Sequence, residues 1–186
     1  MNLSFLLEKY KIKANIEMLL EMWNEPQRSY HNLDHLSNLR EMIVKDFIDG
    51  KITEKIMEKL LLTSLFHDII YDPTRKDNEL KSSEFFMSVC LEKQNTDILE
   101  INQAILDTAT HVATIPLSEK FNIYDMNIVE RDYDSLLKWE SGIFEEFSFA
   151  SDYKERRLRF LESIVNKYPL NSSNLTMLIE FVKNKY

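Results

Sequence analysis

Only two glycines, Gly50 and Gly142, occur in 186 residues. That scarcity constrains the chain more than any other feature. Hairpin-rich β folds use glycine where a turn needs positive φ, and phosphate-cradling loops use several together. A chain with so few is steered toward helices. The apolar positions agree, because they recur at helical spacing nearly throughout and no convincing strand alternation is visible.

One stripe is Ile12, Ile16, Leu19, Leu20 and Trp23, ended by Pro26. A second helix is predicted from about Asn32 to Phe47, with Gly50 closing it. Thr53 caps a third, which carries Ile56, Leu60, Leu61, Ser64 and His67. Asp77 caps a fourth that runs through Leu91, and a fifth spans about Ile98 to His111, with Pro116 as an interruption. Asp125 to Trp139, Ser151 to Tyr168, and a segment from Asn174 complete the set. The length suits one domain over residues 1–186, all-α throughout. Two details concern the C-terminal third. The Lys154-Glu155-Arg156-Arg157 run reads as a solvated helix face, and Phe144, Phe147 and Phe149 read as core or a packing surface.

Composition narrows the function classes. Hydrophobic residues make up 44% of the chain, charged residues 29%, and the net charge is -8. The acidic balance argues against a nucleic-acid polymer as partner, while a local pocket can still take a small anion. No apolar run approaches the ~18 residues of a membrane span. Cys90 is the one cysteine, so no internal disulfide can form, which fits a reducing cytoplasm. No signal peptide is visible in the first thirteen residues. The oligomeric state is left open, a homo-oligomer included.

Chemistry-bearing side chains gather in three places. Tyr30-His31-Asn32-Leu33-Asp34-His35 sets two imidazoles four residues apart, which share a face if both are helical. Phe66-His67-Asp68 sets an imidazole beside a carboxylate at the end of an apolar helix. Asp125 follows farther on. Mixed imidazole and carboxylate ligands suit hard and borderline divalent cations. Neighbouring residues on a helix point about 100° apart, so His67 and Asp68 reach one ion only near a helix end. The competing reading is a buried polar network with no ion, since histidine can pair with carboxylates directly.

These residues resemble the HD superfamily of metal-dependent phosphohydrolases. Tyr30, His31, Asn32 and His35 match the Tyr-His-Asn-x-x-His opening of its small predicted members. Phe66, His67, Asp68, Tyr71, Asp72 and Pro73 match the second block, and Asp77, Asn78, Glu79 and Ser82 the acidic segment after it. Thr108, His111 and Asp125 resemble the later elements. The chain departs from the family's closing Asp-x-Asp pair with Asp125 and Asn127, and from a Gly-Arg pair with Arg156-Arg157.

The resemblance implies a single HD-type helical domain holding one divalent ion (Mn, Mg, Co, Ni, Zn or Fe) on His35, His67, Asp68 and Asp125. It implies a hydrolase of a small phosphate ester, a nucleotide first among the candidates; the opening block also resembles that of cyclic-nucleotide phosphodiesterases, which makes His31 the proton donor, against plainer roles as a fifth ligand or the cap of the second helix. Arg28, three residues before His31, is the first choice for binding phosphoryl oxygens, with Arg75 and Lys76 behind it, against a plainer reading of each as solvated loop charge. Asp72, Glu79 and His111 are expected to orient ligands or hold a second ion, against plainer roles as turn cap, helix-start acid and helix-end histidine. Two rival readings share this frame. One is a metal-containing binding or sensing module without turnover, and the other is a di-iron HD oxygenase.

Overall fold

The computed structural model describes residues 2–186, and they fold as ten α-helices joined by short loops and two 3-10 turns. Among the described residues the one extended pairing is an isolated bridge between Ile12 and Cys90. No helix among them is long and apolar enough to cross a membrane. Contacts group the chain into two compact units, one through Asp125 and one over Met126–Tyr186.

The first unit holds α1 (Leu3–Lys9), α2 (Ile16–Trp23), α3 (Leu33–Ile48), α4 (Glu54–Phe66), α5 (Asn78–Val89), α6 (Thr96–Asp107) and α7 (Pro116–Asp125). Its centre is α4, which packs against α1, α3, α5, α6 and α7. Every residue from Met57 to Phe66 is buried. The sequence predicts a single apolar stripe here, but a helix surrounded by others has no solvent face. Burying one such Leu or Phe side chain contributes about 1.5–3 kcal/mol. The two charged members of the run are paired: Lys9 Nζ lies 2.6 Å from Glu58, and Lys59 bonds Glu100.

Local chemistry sets the helix ends. The Asn32 side chain accepts from the amides of Asp34 and His35, which starts α3 one residue after the expected position. Thr53 Oγ1 accepts from the Ile56 amide and starts α4 as expected. Gly50 takes φ +71° just past α3, a conformation that costs glycine nothing. Three expectations need correction. The first stripe is two pieces, because α2 begins only at Ile16 and Ile12 pairs with Cys90 instead. Asp77 stands before α5 without capping it, since its carboxylate binds Arg75. Pro116 begins α7 rather than interrupting a helix, at a position where its missing N–H is not needed.

The second unit holds a 3-10 turn (Met126–Glu130), α8 (Tyr133–Phe147), α9 (Tyr153–Val165), a 3-10 turn (Pro169–Asn171) and α10 (Ser172–Lys185). The helix expected from Asp125 to Trp139 is broken, because Asp132 caps α8 afresh through the Ser135 amide. Nor is the Lys154–Arg157 run wholly solvated. Arg157 is buried, its Nε donates to Glu140 at 2.7 Å, and its guanidinium lies 4.1 Å from the Trp139 ring. Phe144 stacks on Tyr186 at 4.1 Å, whereas Phe149 is exposed.

Candidate metal centre

The three blocks singled out in the sequence meet within the first unit. His35 lies in the first turn of α3, where the Asn32 cap fixes the helix start. His67 is the residue that ends α4, and Asp68 lies in the turn that follows. The helix stops in time for neighbouring side chains to converge. His35, His67 and Asp68 each place a ligand atom within 4.8 Å of the others. Asp125 is the last residue of α7. Its Oδ1 lies 3.3 Å from His35 Nε2 and 3.6 Å from His67 Nε2. His67 Nε2 is also 3.2 Å from Asp68 Oδ2.

The protonation pattern of His67 follows from its partners. Nδ1 lies 3.0 Å from the Ser64 carbonyl, which can only accept, so Nδ1 carries the hydrogen. Nε2 is left facing the carboxylates. It is buried and makes no hydrogen bond, and the same holds for His35 Nε2. Buried polar atoms are nearly always partnered, and here each Nε2 stands 3.2–3.3 Å from a carboxylate oxygen without an aligned hydrogen bond, an arrangement open to a direct ion pair or to a shared cation.

A shared cation would account for the spacings. Two atoms each about 2.1 Å from one ion stand about 3.0 Å apart at a right angle and about 3.4 Å apart at the tetrahedral angle. The spacings of 3.2, 3.3 and 3.6 Å lie close to that range. His35, His67 and Asp68 form a donor set that suits a divalent ion, with Asp125 beside both imidazoles. The residues present therefore fit such an ion.

The four side chains set one another's charge. Burial opposes charging of His67, but Asp68 and Asp125 outweigh it and raise its pKa to about 10. Burial lowers the pKa of His35, with Asp125 acting against it. Burial would raise both carboxyls, yet His67 holds Asp68 low, and His111, His35 and His67 hold Asp125 well below the carboxylate range. Both acids are therefore ionised at neutral pH.

His31 lies before α3 rather than on it, so it shares no helical face with His35. Its ring nevertheless stands 6.0 Å from that of His35 and 4.7 Å from Tyr71. His111 lies past α6 at φ +51°, not within the helix, and its Nε2 is 3.0 Å from Asp125 Oδ2. Glu79 is half-buried on the first turn of α5. Burial raises its carboxyl, Asp68 adds to the rise, and His111 and His67 lower it.

Two expected roles are not met. The Arg28 guanidinium is buried and donates to the carbonyls of His31, Asp68 and Ile69, so it is not presented to a phosphate. Asp72 caps its own turn: its Oδ1 accepts from the amide and the hydroxyl of Thr74, and it holds no ligand imidazole. Arg75 is exposed and bonded to Asp77. Two contributors escaped the sequence reading. Trp23 walls the centre, its ring 5.5 Å from that of His67 and its Nε1 donating to the Leu65 carbonyl. Ser64 orients His67 from three residues upstream, a helical spacing that was visible in the sequence.

Comparison with known protein families, curated proteins and solved structures finds no match.

Proposed function

We propose that this centre binds one divalent cation and serves the hydrolysis of a small phosphate ester. The observation that carries the reading is the pair of buried Nε2 atoms, on His35 and His67, which lack hydrogen-bond partners and face Asp68 and Asp125. His35, His67, Asp68 and Asp125 would hold the ion. When bound, the cation supplies Lewis acidity and acidifies water toward a pKa of ~7.

The chain's own groups do the rest. Ser64 fixes the His67 tautomer, and His111 holds Asp125 by one oxygen so that the other faces the imidazoles. His31, one ring away from His35, would when protonated donate to the leaving oxygen. Such donation contributes about 10²–10⁴-fold. Arg28 has no place in substrate binding on this reading, because its donors serve the backbone.

The test is elemental analysis of the purified protein, then a panel of phosphate mono- and diesters assayed with chelator and with added divalent ions. Asp68→Ala should lose metal and turnover together. His31→Ala should keep the metal and turn over about 10²–10⁴-fold more slowly, with a smaller loss for good leaving groups. Full metal stoichiometry in Asp68→Ala would overturn the ligand assignment. A metal-replete protein inert across the whole panel would overturn hydrolysis and leave a metal-containing binding module.

A further inference from the structure

We propose that Arg28 is a positioning residue, a clamp that ties the loop carrying His31 to the turn carrying Asp68. Its relevance to catalysis rests on the phosphohydrolase reading; the clamp itself rests on geometry. Nη1 donates to the His31 carbonyl at 3.0 Å and to the Asp68 carbonyl at 2.9 Å. Nη2 donates to the Ile69 carbonyl at 3.1 Å, and Nε to Glu25 Oε2 at 3.3 Å. The guanidinium carbon lies 5.2 Å from the Trp23 ring and 5.0 Å from the Tyr71 ring, and the side chain is fully shielded from solvent.

Three of the four acceptors are backbone carbonyls, two of them on the proposed acid and on a proposed ligand. Arginine offers five donors in a rigid plane, so these four bonds leave one. A lysine ammonium has three donors at a single point and cannot span the same acceptors. Gln27 adds a lighter strut from the same loop, donating to the Tyr71 carbonyl at 3.2 Å. Arg28 and Gln27 thus join residues 27–31 to residues 68–71 across some forty positions of sequence. Release of that tie would let the loop carrying His31 shift against the turn carrying Asp68 without removing any reacting group.

Arg28→Lys and Arg28→Ala, in the full chain, separate this role from phosphate binding. In metal-free protein, amide hydrogen exchange should quicken at Ile69–Asp72 and around His31 in both variants. Co²⁺ affinity should fall about 10–100-fold, as when a ligand's supporting group is lost, and the visible Co²⁺ spectrum at saturation should change. With substrate, kcat should fall while KM stays within about twofold. Guanidinium ion at low millimolar concentration should restore Arg28→Ala, and methylammonium should not.

A raised KM with unchanged exchange and Co²⁺ affinity would overturn the clamp in favour of phosphate binding. If the unmodified chain binds no Co²⁺, the metal reading fails and exchange alone decides the clamp: unchanged exchange rejects it. Should neither variant fold, arginine-labelled ¹⁵N spectra of the unmodified chain decide. Split resonances at the assigned Arg28 Nη that inorganic phosphate leaves in place support the clamp, and one averaged Arg28 resonance overturns it.

Discussion

His111 Nε2 lies 3.0 Å from Asp125 Oδ2, while the other oxygen of that carboxylate faces the imidazoles of His35 and His67. One carboxylate therefore has two distinct edges. The hydrogen-bonded edge fixes the plane of the group, and the free edge is the one offered to a cation. His111 reaches it from a left-handed backbone conformation, φ +51°, which is uncommon for a residue with a side chain.

Replacing His111 by Ala should loosen Asp125 without unfolding the protein, because His111 is partly exposed. Co²⁺ or Mn²⁺ affinity should fall about 10–100-fold. Thermal unfolding of the chelated protein should shift little, since the position lies outside the packed core. A metal titration of the two proteins checks this, and equal affinities would place His111 outside the centre.

The raised pKa of His67 makes the metal-free protein sensitive to alkali. Its pKa is about 10 in the folded chain and about 6.5 when unfolded. Protonated His67 therefore favours the folded state. That contribution is complete below the unfolded value, declines from about 6.5 upward and is gone above about 10. Urea midpoints of chelated protein should fall across this window, and in His67→Gln they should fall less. A saturating divalent cation displaces the same proton, so binding at neutral pH should release about one proton per ion, measurable as a buffer-dependent heat of binding.

Trp23 should report the site optically. Its ring lies 5.5 Å from that of His67 and 6.3 Å from that of His35, and the chain's other tryptophan is Trp139. Co²⁺ or Cu²⁺ should quench the emission of Trp139→Phe, and Trp23→Phe should lose that response. Trp23→Phe also strips the Leu65 carbonyl of its donor. The expected cost is about 1–3 kcal/mol of stability, read from denaturant unfolding.

Much of this was legible in the sequence, for reasons that can be named. Thr53 announced the start of α4, and the start of α3 was read to within one residue, because a side-chain oxygen at a helix start answers local demands only. His35, His67, Asp68 and Asp125 could be nominated by residue type and order. What stayed hidden depends on partners distant in the chain. Arg28 reads as a free cation until the carbonyls of Asp68 and Ile69 are placed around it. Asp72 reads as a ligand-orienting acid until Thr74 closes its turn. The all-round burial of α4 follows from five neighbouring helices, which no periodicity within α4 itself encodes.

Cys90 offers a test of the first unit's integrity that is independent of metal. It ends α5, pairs with Ile12 through the isolated bridge and is 2% exposed. Burial pushes its thiol up to about 12, with Lys93 opposing. The thiolate is the reactive form, so at pH 8 both shielding and protonation protect it. Iodoacetamide should label native protein far more slowly than urea-unfolded protein, whose cysteine has a pKa near ~8.5. Because labelling then requires opening of the Ile12–Cys90 contact, its rate should fall as conditions stabilise the first unit. Labelling of folded protein as fast as that of unfolded protein would show this contact to be open in solution.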